Sequence, residues 1–140
     1  MGRIQVMFNP GTVALIGAID KRGAVGRTVL ENLLQSEERK IFPVNPLRGK
    51  VLDVESYPSI ASVPEHVNLA VVATPARSVP EVVEECGRAG VEGLLIISSG
   101  FKEIGEVGKR LESEVDRIRE KYGMRILGPN CLGFVQPLWV

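Results

Sequence analysis

Residues 13–26 decide the fold, and they read Val13-Ala14-Leu15-Ile16-Gly17-Ala18-Ile19-Asp20-Lys21-Arg22-Gly23-Ala24-Val25-Gly26. The apolar first half is too short to span a membrane and predicts a buried strand. The glycine-rich second half predicts a turn that leads into a helix beginning near Ala24. A strand, a glycine turn and a helix in this order predict a phosphate site. The first N–H groups of the helix point at the turn, and glycines let the backbone approach a phosphate closely.

Length and composition limit the class of protein. The chain has 140 residues, and we expect residues 1–140 to form a single domain with its own core. Its 44% hydrophobic and 24% charged residues are typical of a globular protein, and its net charge of +0 gives no electrostatic basis for binding nucleic acid. No segment predicts a membrane span or a signal peptide. Cys86 and Cys131 do not make a disulfide framework, which predicts a cytoplasmic location, and His66 as the one histidine argues against a metal site.

Strand and helix patterns alternate along the chain. Besides the strand at residues 13–19, apolar runs predict four strands, at residues 40–44, 68–73, 93–98 and 124–127. Helical periodicity predicts three helices, over residues 24–35, from about Val79 to Gly90, and over the segment that ends at Gly123. This alternation predicts an α/β fold, a Rossmann-type doubly wound sheet of five mainly parallel strands in the order 3-2-1-4-5.

The unusual strand ends all fall on one edge of the predicted sheet. Ligands of such sheets bind outside the carboxyl ends of the strands, beside strand 1. The segments that meet there are residues 17–26, Val44-Asn45-Pro46, Ala73-Thr74-Pro75, Ser98-Ser99-Gly100 and Gly128-Pro129-Asn130. Their clustering predicts a ligand crevice at this edge.

The glycine spacing does not fit the common nucleotide motifs. Gly17 and Gly23 are too far apart for the dinucleotide fingerprint G-x-G-x-x-G, and the second strand ends in Asn45-Pro46 without an acid for the ribose. The P-loop pattern is also absent. A longer turn that wraps a phosphate compound remains, with Lys21, Arg22 and Arg48 as candidate cations.

Several ordered motifs together resemble one family over residues 9–134. These motifs are G-A-I-D-K-R-G-A-V-G, F-P-V-N-P, Y-P-S-I, A-V-V-A-T-P, I-I-S-S-G-F-K-E and R-I-L-G-P-N-C-L-G. The order is similar to the CoA-binding domain of NDP-forming acyl-CoA synthetases, which also opens the alpha subunit of succinyl-CoA synthetase. The resemblance implies that coenzyme A lies across the carboxyl edge of the sheet with its phosphates near the glycine turn.

The resemblance also implies which residues contact CoA. Residues 23–26 would cradle the phosphates, Asn45 and Pro46 would line the nucleotide side, and residues 98–100 would flank the pantetheine. The full set of expected contacts is Gly17, Gly23, Ala24, Val25, Gly26, Asn45, Pro46, Arg48, Thr74, Pro75, Ser98, Ser99, Gly100 and Asn130. The family usually has lysine directly after V-N-P, but this chain has Leu47 there and the cation moves to Arg48.

The resemblance assigns no catalytic residue to this chain. In the family the phosphorylated histidine and the ATP-grasp module lie in other domains, so we expect the chain alone to be inactive. The leading hypothesis is the CoA-binding module of an NDP-forming acyl-CoA synthetase, with the remaining synthetase domains or subunit as partners. A stand-alone regulatory sensor of CoA or acyl-CoA and an NAD(P)-binding Rossmann domain are the alternatives.

Overall fold

The computed structural model describes residues 9–98 and 105–128, which form a five-stranded parallel sheet with helices on both faces. The strands are β1 (Thr12–Ile16), β2 (Lys40–Val44), β3 (Lys50–Val51), β4 (Val54–Glu55), β5 (Leu69–Val72), β6 (Gly93–Ile96) and β7 (Arg125–Leu127). The helices are α1 (Val25–Leu34), α2 (Val79–Arg88) and α3 (Glu106–Tyr122), and two short 3₁₀ turns cover Ile60–Ser62 and Ala76–Ser78. No helix of these two ranges is long and apolar enough to cross a membrane.

The predicted α/β class with a Rossmann-type parallel sheet is confirmed, but the predicted strand order is wrong. The sheet runs β2-β1-β5-β6-β7, and each neighbouring pair is parallel. The third predicted strand, β5, therefore lies beside β1, whereas the order 3-2-1-4-5 had placed it beyond β2. Strands β3 and β4 form a separate antiparallel hairpin, which the sequence pattern did not predict.

The outer edge of β2 is already occupied by the segment that follows the hairpin. The Tyr57 N–H donates to the Pro43 carbonyl at 3.0 Å, and the Asn45 N–H donates to the Tyr57 carbonyl at 2.9 Å. These bonds use the groups that a neighbouring strand on this side would need. The chain therefore returns to the other side of β1.

A side-chain clamp places β5 on that other side. The Oδ1 atom of Asn68, the residue before β5, accepts hydrogen bonds from the Gly11 and Thr12 N–H groups, both at 3.2 Å. In return, the Asn68 N–H donates to Thr12 Oγ1 at 2.9 Å. The start of β5 is thus tied to the start of β1, and the pairing continues from Val13–Leu69 to Ile16–Val72.

Both faces of the sheet are buried, because alternate residues of each strand point to opposite sides. In β1, Val13 and Leu15 pack with α1, and Ala14 and Ile16 pack with α2 and α3. Val29, Leu30 and Leu33 of α1 cover the first face, together with Val51 from the hairpin. The continuous apolar runs of the sequence reflect this double burial.

The backbone of helix α1 packs directly against the backbone that follows β1. A Cβ atom on Gly26 would overlap the carbonyl oxygen of Gly17 and would lie 3.2 Å from Ile19 Cγ2. Gly26 is therefore required for packing the helix onto the sheet, before any ligand is considered.

We predict that Gly26→Ala destabilises the protein by at least about 2 kcal/mol, because the added methyl group meets fixed backbone rather than a movable side chain. Gly49→Ala is the matched control, since a Cβ atom there has no neighbour within 4 Å. We expect that control to change stability by less than about 0.5 kcal/mol. Urea unfolding followed by circular dichroism measures both, and equal stabilities of the two variants would contradict the packing role.

A second prediction concerns Glu92 at the amino edge of the sheet. His66 Nε2 lies 2.9 Å from Glu92 Oε1, and Asn68 Nδ2 donates to the same oxygen at 3.2 Å. The hydrogen bond from His66 is the main cause that lowers the pKa of Glu92 below 4.5, with a smaller contribution from Asn68. A carboxyl group whose pKa is lower in the folded state stabilises that state above its unfolded pKa. The stabilisation is lost as the pH falls below about 4.5 and through the folded pKa.

We therefore expect the wild type to lose more unfolding free energy between pH 6 and pH 3 than Glu92→Gln, which keeps a hydrogen-bond acceptor but has no proton to bind. Urea unfolding at each pH gives the two curves. Parallel curves would show that Glu92 does not contribute to the pH dependence.

Candidate functional site

A cavity of about 670 Å³ opens at the carboxyl edge of the sheet, beside β1. In the observed strand order the chain reverses direction at β1, moving first to β2 and then to β5, so this is the topological switch point. The cavity is lined by the ends of four strands, the first turn of α1, both 3₁₀ turns and α2. The lining residues are Ile16, Gly17, Ala18, Ile19, Ala24, Val25, Gly26, Val44, Asn45, Pro46, Pro58, Ser59, Ile60, Ala73, Thr74, Pro75, Ser78, Val82, Glu85, Ile97 and Ser98.

The first turn of α1 lines this cavity, and two of its N–H groups have no acceptor among residues 9–98 and 105–128. Ala24 is the N-cap, with an extended backbone and no capping side chain, and the first turn carries no acidic residue. The Ala24 carbonyl accepts from the N–H groups of Arg27 and Thr28, both at 3.2 Å. The N–H groups of Val25 and Gly26 precede these and have no intrahelical acceptor. The positive end of the helix therefore faces the cavity with no acidic residue in its own first turn.

Two glycines shape the turn between β1 and α1. Gly17 has φ +97°, and a Cβ atom there would lie 2.9 Å from the Ala73 carbonyl carbon, so the turn passes close to the end of β5. Gly23 has φ +85° and open space where a Cβ atom would be. Gly23 does not line the cavity itself but immediately precedes Ala24, which does.

Asn45 connects the end of β2 to this turn. Its Nδ2 donates to the Ala18 carbonyl at 2.8 Å, and its Oδ1 accepts from the Leu47 N–H at 2.8 Å. Asn45 and Pro46 both line the cavity. The Asn45 side chain therefore ties together two segments that line the cavity.

Arg48 lies at the rim rather than among the lining residues. Its Nη1 is 3.0 Å from Asp20 Oδ1, so the predicted cation is paired with an acid of the glycine turn. Lys21 and Arg22, the other predicted cations, are exposed on the same turn.

The ends of β5 and β6 complete the floor. Thr74, Pro75 and Ser98 line the cavity. The Ser98 hydroxyl donates to the Val72 carbonyl at 3.3 Å, and the buried Thr74 Oγ1 has no hydrogen-bond partner in the part of the chain that the structure describes. The remaining predicted contacts, Ser99, Gly100 and Asn130, lie outside the described residues.

One wall of the cavity contains none of the contacts predicted from the sequence. Pro58, Ser59 and Ile60 come from the Y-P-S-I segment, while Val82 and Glu85 come from α2. The only signal for the first three was their presence in a family motif. The α2 residues carried no signal, because helical periodicity cannot show which turn of a helix reaches a cavity.

The chemistry of the cavity suits binding. Among the described lining residues Glu85 is the one with an ionisable side chain, and the remainder are apolar, amide or hydroxyl residues. Cys86 is a buried core residue of α2, and burial raises the pKa of its thiol to about 12, so it stays protonated. His66 lies at the opposite edge with Glu92, and the described residues include no group of three or more His, Cys, Asp or Glu side chains able to hold a metal ion.

Comparisons with known proteins agree with this geometry. Residues 11–137 match the family model described as a CoA binding domain. The chain is 45% identical over 132 residues to acetate–CoA ligase [ADP-forming] I of Archaeoglobus fulgidus, covering 94% of this chain and 19% of that protein. It is 44% identical over 138 residues to acetate–CoA ligase [ADP-forming] I subunit alpha of Pyrococcus furiosus, covering 94% of this chain and 30% of the subunit.

A solved structure has the same fold. The crystal structure of PH0766 from Pyrococcus horikoshii superimposes with a TM-score of 0.86 at 41% identity, covering 91% of this chain and 29% of that chain. The chain thus spans less than a third of each of these relatives. With the family model matching nearly its whole length, the chain belongs to the CoA-binding domain family and corresponds to the CoA-binding region of ADP-forming acyl-CoA synthetases.

Proposed function

We propose that this chain binds coenzyme A as the thiol substrate of an ADP-forming acyl-CoA synthetase. The observation that carries the proposal is the uncapped N-terminus of α1, which opens with the glycine turn into the cavity at the switch point of the sheet. A helix N-terminus attracts phosphate, and CoA carries phosphate groups. The identity to ADP-forming acetate–CoA ligases supports CoA over other phosphate compounds.

The predicted contacts divide into three regions of one binding path. Residues 23–26 would hold a phosphate through backbone N–H groups. Asn45, Pro46 and the rim cation Arg48 would bound the nucleotide side. Gly17, Thr74, Pro75 and Ser98 would lie under the ligand as it crosses from β1 towards β6, and we keep Ser99, Gly100 and Asn130 as predicted contacts further along this path.

The residues of this chain bind and position the thiol but do not perform the chemistry. In thioester formation the CoA thiol loses its proton as its sulfur bonds to the carbonyl carbon of an acyl phosphate, the carbon–oxygen bond breaks, and the leaving inorganic phosphate takes up the proton. Activation of the acid requires a nucleotide site, which we assign to synthetase domains beyond this chain or to a partner subunit. We further propose that residues 1–140 form a single domain that is inactive alone and works in the cytoplasm.

The first test is isothermal titration with CoA and, separately, with NAD. We expect a single CoA site per chain and no heat with NAD, because β2 ends in Asn45-Pro46 without an acid for the ribose hydroxyls. NAD binding without CoA binding would overturn the proposal.

The second test places a charge at the N-cap of α1. Ala24→Asp is expected to weaken CoA binding at least about tenfold by repelling the phosphate. The same change should raise stability by about 0.5–2 kcal/mol, because aspartate is a good N-cap and alanine a poor one.

Ala24→Asn is the matched control, since asparagine caps equally well but carries no charge. We expect it to bind CoA much more tightly than Ala24→Asp. If both variants bind CoA as tightly as the wild type does, measured by titration alongside thermal unfolding, no phosphate lies at this helix end.

A further inference from the structure

An ion pair spans the rim of the cavity. Asp20 directly follows the lining residue Ile19, and Arg48 lies two residues after the lining residue Pro46. Arg48 Nη1 is 3.0 Å from Asp20 Oδ1 and 3.1 Å from Asp20 Oδ2, so one guanidinium nitrogen is shared by both carboxylate oxygens. The pair joins the turn after β1 to the loop after β2.

The pair is exposed, whereas both of its supporting segments are held by other bonds. The side chains of Arg48 and Asp20 are 53% and 35% exposed, and an ion pair so open to water contributes little to folding. The turn is held by Arg27 Nη1, which donates to the Asp20 carbonyl at 2.7 Å. The loop is held by Asn45, which donates to the Ala18 carbonyl at 2.8 Å. Arg48 and Asp20 can therefore separate without releasing either segment.

We propose that this ion pair is a latch, in which the Asp20 carboxylate occupies Arg48 until a phosphate group of the ligand takes its place. The inference rests on the proposed function, because it concerns the same ligand. A phosphate group offers more charge and more acceptor oxygens to a guanidinium than a single carboxylate does. The exchange is therefore favourable, but the net binding free energy is smaller than the Arg48–phosphate attraction because the Arg48–Asp20 pair must be broken.

Asp20 is in this way a specificity-determining residue that weakens binding. A ligand without a phosphate group at the rim leaves the pair closed and gains nothing from Arg48. A ligand with that phosphate binds, but less tightly than it would to a free guanidinium, which favours release of the thiol ligand in each reaction cycle.

Asp20→Asn tests the latch, with Asp20→Glu as the charge-matched control. We expect Asp20→Asn to bind CoA about two- to fivefold more tightly than the wild type at low ionic strength, the size that an exposed ion pair allows. Asp20→Glu should stay near the wild type. Asp20→Ser is a second neutral variant should asparagine disturb the turn, and thermal unfolding checks that all variants are folded.

The decisive comparison repeats the substitution in Arg48→Gln. There the gain from Asp20→Asn should vanish, because no guanidinium remains to be released. Titration with dephospho-CoA then shows which phosphate opens the latch: a gain lost with this ligand assigns the 3′-phosphate, and a gain retained assigns the diphosphate.

Three results would overturn the latch. If Asp20→Asn weakens CoA binding, Asp20 positions Arg48 instead of blocking it. If the gain persists in Arg48→Gln, Asp20 acts on the phosphates directly. If wild type and Asp20→Asn bind CoA equally, the pair has no part in binding, and the proposed function still stands. Absence of CoA binding in every variant would overturn both proposals together.

Discussion

The close approach of α1 to the end of β1 is the constraint on which the site depends. The absence of a Cβ atom at Gly26 lets the first turn of the helix lie against the Gly17 carbonyl, and the positive φ of Gly17 lets the chain leave β1 beside the end of β5. Only with both glycines can the helix end point into the switch-point cavity. The contact is therefore a packing contact, and under the proposed function it also sets the position of the helix end that binds phosphate.

The electrostatics of the site follow from the absence of a capping side chain and of an acidic residue at the N-terminus of α1. With Ala24 as its N-cap and no acid in its first turn, α1 keeps two N–H groups for an external acceptor. A better cap would stabilise the helix and compete with the ligand. The nearest acid of the turn, Asp20, is instead directed to Arg48 at the rim. The helix end thus keeps its positive potential. At the rim, the charge of Arg48 is balanced by Asp20 in a solvent-exposed ion pair.

Asn45 has both a structural role and a place in the lining of the cavity. Its side chain donates to the turn after β1 and accepts from the loop after β2, and it also lines the cavity. The Asn-Pro pair that ends β2 replaces the acid of dinucleotide-binding folds. Without that acid, the chain has no carboxylate at this position to bind a ribose hydroxyl, and Asn45 and Pro46 instead form part of the cavity wall.

The sequence by itself determined the alternation of strands and helices, the double burial of the strands and the position of the glycine turn. These features depend on periodicity and on residues whose backbone roles are local, such as Gly23 and Gly123 with their positive φ angles. Only the tertiary structure decided that β5 pairs with β1, because Asn68 and Thr12 meet across 56 residues and Tyr57 occupies the outer edge of β2. It also decided the Asp20–Arg48 pair and the wall formed by residues 58–60 and α2. Such contacts join segments that are distant in the chain, and the sequence pattern of one segment does not predict which other segment it will contact.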